Sequence, residues 1–522
     1  MAQTQFETVV ASLAELCGEV YTDAVCNARA FLTGEAATTL RQLAREPIDF
    51  YPCRFQDRLL ALLPRVGQAF APAWAGSARG ATTETFREAT KREMAPLSTF
   101  GWYRCGEGGR LYFALKSEHY HATLGHGFPG YDLLERARRL GIPNATHNNT
   151  RGHITRLLEE ELVRTTNGLA PEDAAGLNAL LASREPEALN RVLNLETGSL
   201  AVEAALKMIL ARFYRMQADR PAPPCAGRTP VILVVGDNEG HIGANYHGTT
   251  ILTQVLRGMW SELRNSLEDA GALQVRAVRP NNMGDLEAAF AQYDTGATKI
   301  AGFFHEIVMM NYGALLLTPE FLQRAYALCQ AHDVPVVADE IQSCAWGPDL
   351  YLFREYGLRP SFVALGKGLP GGEYPASRLL FAAGMDNGLP QFGALVTNGQ
   401  EELASLAYLV TMRWAQANAR VTRAIGEAYA AGLRDVARRF SGVVTGVAGW
   451  GHLSALLLRD LETAKCLAAR LVAGGLDISA QTYKTDCPPA LLTKLPLTAG
   501  YEAAEFVVDR MAETLSEMVQ GR

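Results

Sequence analysis

The chain is 522 residues long, 48% apolar and 20% charged; this supports a sizeable core and excludes a disordered chain or a small disulfide-stapled scaffold. Lys and Arg number 49 against 55 Asp and Glu, a net charge of −6, and no dense basic stripe is present, so nucleic acid is not an expected partner. At about 100–200 residues per domain the length corresponds to three or four units, or fewer if one is a large α/β domain.

The first residues, MAQTQFETVVASLAELCGEV, have no basic n-region and carry acidic residues within their apolar stretch. No segment approaches the ~18 uninterrupted apolar residues of a membrane span. The nine cysteines are dispersed, with no Cys-x-x-Cys pair. They read as buried thiols of a reducing compartment, and a soluble cytoplasmic protein without membrane attachment is expected.

Residues 1–97 are mostly helical in pattern, with Val9, Leu13, Leu16 and Val20 at three-to-four spacing, and they carry no recognisable motif. A boundary is expected near residue 98. Short β-prone runs then surround Gly106 to Arg110, as in a meander, and end in the turn-rich Gly125-His126-Gly127-Phe128-Pro129-Gly130. Residues 98–160 form the N-terminal part of a small domain in this reading, and residues 161–400 a large one. Within the latter, Val231–Val235, Val275–Val278, Ile300–Phe304, Val334–Ala338, Phe362–Leu365 and Leu379–Ala382 read as buried strands. Helix-length segments such as Pro319–Ala331 separate several of them, the pattern of a wound, mainly parallel sheet. The Pro-rich QADRPAPPCAGR, from Gln217 to Arg228, reads as a surface loop. Residues 401–522 open with a long helical stretch and end as a smaller α+β unit. No internal repeat or low-complexity tract is evident.

Four short segments carry possible chemistry. Leu365-Gly366-Lys367-Gly368-Leu369-Pro370-Gly371-Gly372 follows a predicted strand, which sets Lys367 at the edge where α/β sheets bind ligands. Taken alone it is also compatible with a surface lysine in a turn. A P-loop fits less well, because Gly368 stands where Ser or Thr should reach the metal. Val336-Val337-Ala338-Asp339-Glu340-Ile341-Gln342 ends a buried strand in two carboxylates and an amide, with Asp339 lying 28 residues before the lysine. That interval is one strand–helix–strand step, so both side chains can converge on one sheet edge. Asp339 there could bind metal, cap a helix or neutralise a protonated ring nitrogen. Thr197-Gly198-Ser199 opens a helix with the apolar face Val202, Leu206, Ile209 and Phe213, and is either a phosphate site or a plain Ser cap. Asn245-Tyr246-His247-Gly248-Thr249-Thr250 is an aromatic–imidazole–glycine turn whose ring could stack on a flat heterocycle, or an ordinary surface loop. His119, His121 and His126 could begin a metal site if the first two share a strand face, but no fourth ligand is evident.

Together the four segments resemble, in order, the class III aminotransferases, pyridoxal-phosphate enzymes of fold type I. ADEIQ…GLRPSFVALGKGLPGGEYPAS is similar to the family's DEVQ…PD…xxGKxxxGG block, TGSLAVEAALK to SGSEAVEAAIK, and YHGTT to YHGRT. Weaker likenesses lie in GGRLYFALKSEHYHATLGHGFP, in GVAGWGHLSALLL and in the Thr397-Asn398-Gly399-Gln400 stretch, so the resemblance covers about residues 98–522. It implies an α/β fold type I architecture, with a mainly parallel seven-stranded sheet flanked by helices and a smaller α+β domain. It further implies pyridoxal 5′-phosphate held as a Schiff base on Lys367, which then moves the substrate's α-proton. Asp339 would pair with the ring nitrogen, Gln342 with the phenolic oxygen, and Tyr246 would stack on the ring, with His247 in the same turn. Thr197, Gly198 and Ser199 would take the phosphate. Thr397 would reach the phosphate of a neighbouring subunit, implying a homodimer, and Glu306 would line the cavity near the cofactor.

Departures from the family pattern bear on the substrate. Ile307, Met309 and Asn311 replace Pro, Gln and a second Glu after Glu306, and Leu200 replaces the Glu of SGSEA. Leu492 stands where the family carries a carboxylate-gripping Arg, a role that Lys494 or an Arg from elsewhere would have to fill. The expected reaction is transfer of an amino group between an amine or amino acid and an oxo acid or aldehyde. The alternatives are racemisation, amino-group migration or decarboxylation on the same cofactor, or a non-catalytic scaffold.

Overall fold

The N-terminal residues fold as helices α1 (Leu13–Cys17), α2 (Glu19–Thr33), α3 (Ala37–Arg45) and α4 (Cys53–Leu62) in a computed structural model that describes residues 6–386, 393, 399–482, 484 and 486–521. Helix α1 starts where it does because of a capping box. The Ser12 hydroxyl accepts from the Glu15 N–H at 3.2 Å and the Glu15 carboxylate from the Ser12 N–H at 2.6 Å. The segment shares the core of the rest of the chain: the Phe6 and Tyr51 rings pack on Trp414 at centroid distances of 5.5 and 6.0 Å. The Tyr51 hydroxyl donates to the Thr498 carbonyl at 2.9 Å.

A meander follows, of strands β1 (Pro96–Phe100), β2 (Tyr103–Gly106) and β3 (Leu111–Phe113), paired antiparallel in that order. The tip expected around Gly106 to Arg110 is its second turn. Helix α5 (His153–Thr166) has no capping side chain of its own at Gly152. Glu402 supplies the acceptor from far along the chain: its carboxylate takes the N–H groups of Ile154 and Thr155 at 2.8 and 3.2 Å, satisfying donors that a helix start leaves open.

The large sheet has seven strands: β4 (Leu189–Leu195), β5 (Thr229–Val235), β6 (Gln274–Val278), β7 (Thr298–His305), β8 (Val336–Asp339), β9 (Phe362–Leu365) and β10 (Ser377–Ala382). Its order is β4-β10-β9-β8-β7-β5-β6, parallel throughout except at β10, which runs antiparallel to both neighbours. Six of these strands coincide with the apolar runs. The seventh, β4, was not among them: Asn190 and Asn194 interrupt its apolar pattern and are nevertheless buried, held by bonds to the Leu180 and Ser183 carbonyls and to Glu159.

Beyond the large sheet, two helices of 16 and 21 residues lead to an antiparallel sheet of β11 (Val444–Trp450), β12 (Leu453–Leu458), β13 (Ser479–Ala480) and β14 (Ala490–Lys494), in the order β11-β12-β14-β13. The meander is stitched to it, since the Phe113 N–H donates to the Gly475 carbonyl at 2.8 Å and the Lys494 N–H to the Leu115 carbonyl at 2.9 Å. Two expectations are corrected. His119 and His121 do not share a strand face; they lie in and just after a single helical turn, Ser117–Tyr120, where Ser117 and His119 take positive φ. The cysteines are not uniformly buried either: Cys53 and Cys466 are exposed, while all nine are free thiols. Among the described residues, no helix is long and apolar enough to cross a membrane, and no group of three or more His, Cys, Asp or Glu side chains is arranged to hold a metal.

Candidate active site

Parallel pairing sets Asp339 beside Ala364 at the carboxyl end of the sheet, so Lys367 emerges three residues farther on at the same edge. Lys367 adopts φ 35°, a strained value for a side chain with a Cβ that is kept only where the surroundings enforce it. The flanking glycines allow the close approach. A Cβ at Gly366 would stand 2.3 Å from Ser377 Oγ and one at Gly368 2.4 Å from Thr123 Oγ1, and the Thr123 hydroxyl holds the Gly368 carbonyl at 2.7 Å.

The turn at 245–250 docks against the start of helix α6 (Gly198–Leu210). Ser199 Oγ accepts the Thr249 N–H at 3.0 Å, and Gly248, at φ 136°, is required because a Cβ there would meet Ser199 Cα at 2.9 Å. Thr197 is extended and makes no side-chain cap, which leaves the N-terminal end of α6, with its positive dipole, facing the cavity. The same docking brings His247 Nδ1 to 2.9 Å from Asp339 Oδ2, both side chains being buried. Asp339 Oδ1 also accepts the Ile341 N–H at 3.1 Å.

Eight expected residues, Lys367, Asp339, Gln342, Thr197, Gly198, Ser199, Tyr246 and His247, line a single cavity of about 340 Å³. Glu306 stands behind it, accepting from Gln342 Nε2 at 3.2 Å. Thr397 lies outside the described residues. His121, weighed above as a metal ligand, is instead part of the wall. Burial first, then nearby lysine charges, pulls His119 down to about 4 and lowers His121 as well.

The electrostatics are those of a desolvated site. Burial lowers the Lys367 ammonium, opposed by the carboxylates of Glu306 and Asp339, so a neutral amine is more accessible there than in water. Burial, and secondly the charge of Asp339, pushes Glu306 up to about 8. The folded chain therefore holds a proton on Glu306 that the unfolded chain releases above its ordinary value. The stability linked to this proton is complete below about 4.5 and is lost as pH rises through about 8. Glu306→Gln keeps the acceptor for Gln342 and removes the titration. Thermal unfolding of the cofactor-free chain should accordingly show the Tm of the variant rising relative to the wild type between pH 5 and 9. Parallel curves would show that Glu306 does not titrate in this range.

Three cations packed behind the lining residues lie outside the four sequence motifs. Lys494, at the end of β14, is fully buried, donates to the Gln342 carbonyl and lies 4.8 Å over the Trp346 ring; burial and then Lys367 hold its ammonium well below the usual lysine value. Lys484 donates to the carbonyls of Ala244 and Asn245. Burial lowers it to about 8, with Glu306 acting in the opposite sense and Arg257 in the same one. Arg257 stacks on the Tyr246 ring at 4.7 Å. Neither Arg257 nor Lys484 is ion-paired with a carboxylate among the described residues. The absence of the family's Arg at Leu492 was the only signal that pointed toward a replacement.

The architecture and the cavity at the carboxyl edge of its sheet define a fold type I α/β protein. A transaminase from the marine bacterium Virgibacillus superposes with a TM-score of 0.65 at 18% identity, over 85% of this chain and 98% of that one. The ornithine aminotransferase of Toxoplasma gondii ME49 gives 0.63 at 19% identity, over 85% and 97%. The family model Aminotransferase class-III matches residues 149–494, and the chain belongs to that family. Among curated relatives, the ornithine aminotransferase of Emericella nidulans is 24% identical over 52% of this chain and 58% of its own length. The 5-aminovalerate aminotransferase of Pseudomonas aeruginosa is 25% identical over 66% and 79%. The chain thus spans a little under three fifths of the first of these relatives.

Proposed function

We propose that the protein is a pyridoxal-phosphate-dependent aminotransferase that moves an amino group from an amino acid or amine to an oxo acid or aldehyde. The observation that carries this reading is the meeting, in one cavity, of a half-buried lysine at a strained backbone position with the His247–Asp339 pair and the open start of α6. The residues fit the cofactor by their unfilled bonding capacity: Gln342 Oε1, Glu306 Oε2 and His247 Nε2 are buried without hydrogen-bond partners among the described residues, an arrangement that awaits a polar ligand. Bound there, pyridoxal phosphate supplies an aldehyde for amine exchange and a protonated ring that accepts the electrons of a cleaved C–H bond.

The chain's own groups divide the remaining work. Lys367 Nζ would be the covalent anchor for the cofactor's aldehyde and, as a free amine, the base that takes the substrate's α-proton and moves it away from the α-carbon. Asp339, oriented by His247, would set its carboxyl group toward the ring nitrogen and favour the protonated ring. Ser199 and the N–H groups opening α6 bind the phosphate dianion. Gln342, positioned by Glu306, presents its free oxygen or reoriented amide to the ring substituent. The test is to load the chain with pyridoxal phosphate and add amino donors, following the visible spectrum and the appearance of the oxo product. Loss of the carbonyl form with each equivalent of donor supports transamination. Consumption of donor without that change supports the racemase, mutase or decarboxylase alternative, which the relatives' names do not favour.

The substrate is read as carrying a carboxylate, because Arg257, stacked on the cavity-lining Tyr246, and Lys484, within the influence of Glu306, are cations without carboxylate partners among the described residues. The aminotransferases of ornithine and of 5-aminovalerate among the relatives are named for substrates of this kind. Arg257→Ala is expected to raise KM for a carboxylate-bearing donor by about 10–100-fold, the worth of a charge-assisted hydrogen bond, with a smaller change in kcat. An amine without a carboxylate should show no such difference; equal effects on both would remove Arg257 from substrate recognition. We also read the protein as a cytoplasmic homodimer, with Thr397 reaching a neighbouring active site, and divide it at residues 97, 160 and 400. Sedimentation of the full chain tests the dimer.

A further inference from the structure

A second cavity, of about 360 Å³, lies apart from Lys367, between the N-terminal helices and the meander. Its volume is within the range of about 300–1,000 Å³ common to small-molecule sites. The floor is formed by Phe100 of β1, Tyr103 of β2 and Leu111 of β3, and the wall by Leu62 at the end of α4. The Tyr103 hydroxyl is already satisfied by the Leu59 carbonyl at 2.6 Å, so it offers the interior a ring and no unmet donor. An apolar cavity with this lining favours a hydrocarbon or aryl body.

Charge enters at the rim. Arg58 on α4 and Arg65 in the 3-10 turn Leu63–Arg65 that continues it both line the cavity. Seven residues of near-helical chain bring them to the same side, about 10 Å apart along the axis. Both are exposed, and neither guanidinium has a hydrogen bond or ion pair to any described residue. Other arginines nearby are committed: Arg92 to Glu107 at 3.2 Å and Arg104 to Asp477. In a chain of net charge −6, two uncommitted arginines bracketing an apolar mouth concentrate positive charge there. A guanidinium pairs with a carboxylate through two parallel N–H···O bonds.

We propose that this cavity is a binding site for a small amphipathic monocarboxylate, aliphatic or aryl, with its body against Phe100, Tyr103 and Leu111 and its carboxylate held by Arg58 and Arg65. The proposal is independent of the reaction at Lys367. The enclosing α4 wall and the limited volume favour a free small molecule over a lipid surface or a peptide.

The test uses the full chain and decanoate as the probe, below its micellar range, by isothermal titration calorimetry. Saturable binding of one decanoate per chain is expected. The double charge reversal R58E/R65E is expected to weaken it at least tenfold, and Ser98→Trp, at an exposed lining position, to abolish it by filling the mouth. Decanol should bind at least tenfold more weakly than decanoate. Thermal unfolding of both variants without ligand should match the wild type, which separates lost binding from lost folding. Absence of saturable decanoate binding to the wild type, equal affinity for decanol, or binding unchanged in both variants would each overturn the proposal.

Discussion

Lys367→Ala, mixed with pyridoxal phosphate, is expected to lack the visible absorption of a covalently anchored cofactor and to lose at least about 10²–10⁴-fold of any transaminating activity, the usual contribution of a positioned acid–base group. The expectation is large because no described neighbour stands ready to replace the amine. Lys494 is buried nearby, but its ammonium donates to the Gln342 carbonyl and rests on Trp346. Lys484 is tied to the Ala244 and Asn245 carbonyls. The position is specific as well as the residue. Lys367 sits at φ 35° between two glycines that no larger residue could replace without striking Ser377 or Thr123. Lys367→Arg, which retains charge and reach but cannot condense with an aldehyde, should be as inactive as the alanine variant. Spectra of the three proteins, followed by single-turnover assays with an amino donor, check this. Wild-type-like absorption and activity in Lys367→Ala would remove Lys367 from the reaction and the aminotransferase reading with it.

Asp339→Asn should leave the fold intact while lowering kcat by about 10²-fold or more, with little change in cofactor anchoring. The substitution is nearly isosteric: the amide oxygen at the Oδ1 position still accepts the Ile341 N–H, and the amide N–H at the Oδ2 position donates to His247 Nδ1 in the tautomer that leaves this nitrogen unprotonated. What it removes is the charge. A negative group opposite the ring nitrogen favours the protonated ring, and each pKa unit of that preference is worth about 1.4 kcal/mol. A second readout is independent of turnover: after burial, the charge of Asp339 helps to hold the Glu306 carboxyl above its ordinary value. Its neutralisation should therefore move the pH at which the Glu306-dependent stability is lost toward lower values. Unchanged kcat together with an unchanged pH profile would show that the Asp339 charge acts on neither group.

The chain's linear order already carried the wound sheet, because fully buried parallel strands read as uninterrupted apolar runs whatever packs against them. Val231–Val235 and Phe362–Leu365 are of this kind. It also placed Lys367 and Asp339 at one edge, since a strand–helix–strand step has a characteristic length and ends its strands on the same side. Strand β4 was less legible because its two buried asparagines are satisfied only by partners such as the Leu180 carbonyl and Glu159, which a local pattern does not reveal. The remainder of the site depends on contacts between distant segments. His247 meets Asp339 across 92 positions, and Glu402 caps a helix that begins some 250 residues before it. Likewise, an isolated Arg257, Lys484 or Lys494 looks in sequence like any solvated cation. It becomes part of a site only when Tyr246 stacks beneath the first, the Ala244 and Asn245 carbonyls hold the second, and strand β14 buries the third. Hydrophobic period and strand-end position are local properties, and the sequence by itself determines them. Burial, and with it the protonation of Glu306 and the lysines, depends on the whole surrounding shell, so only the tertiary structure decides it.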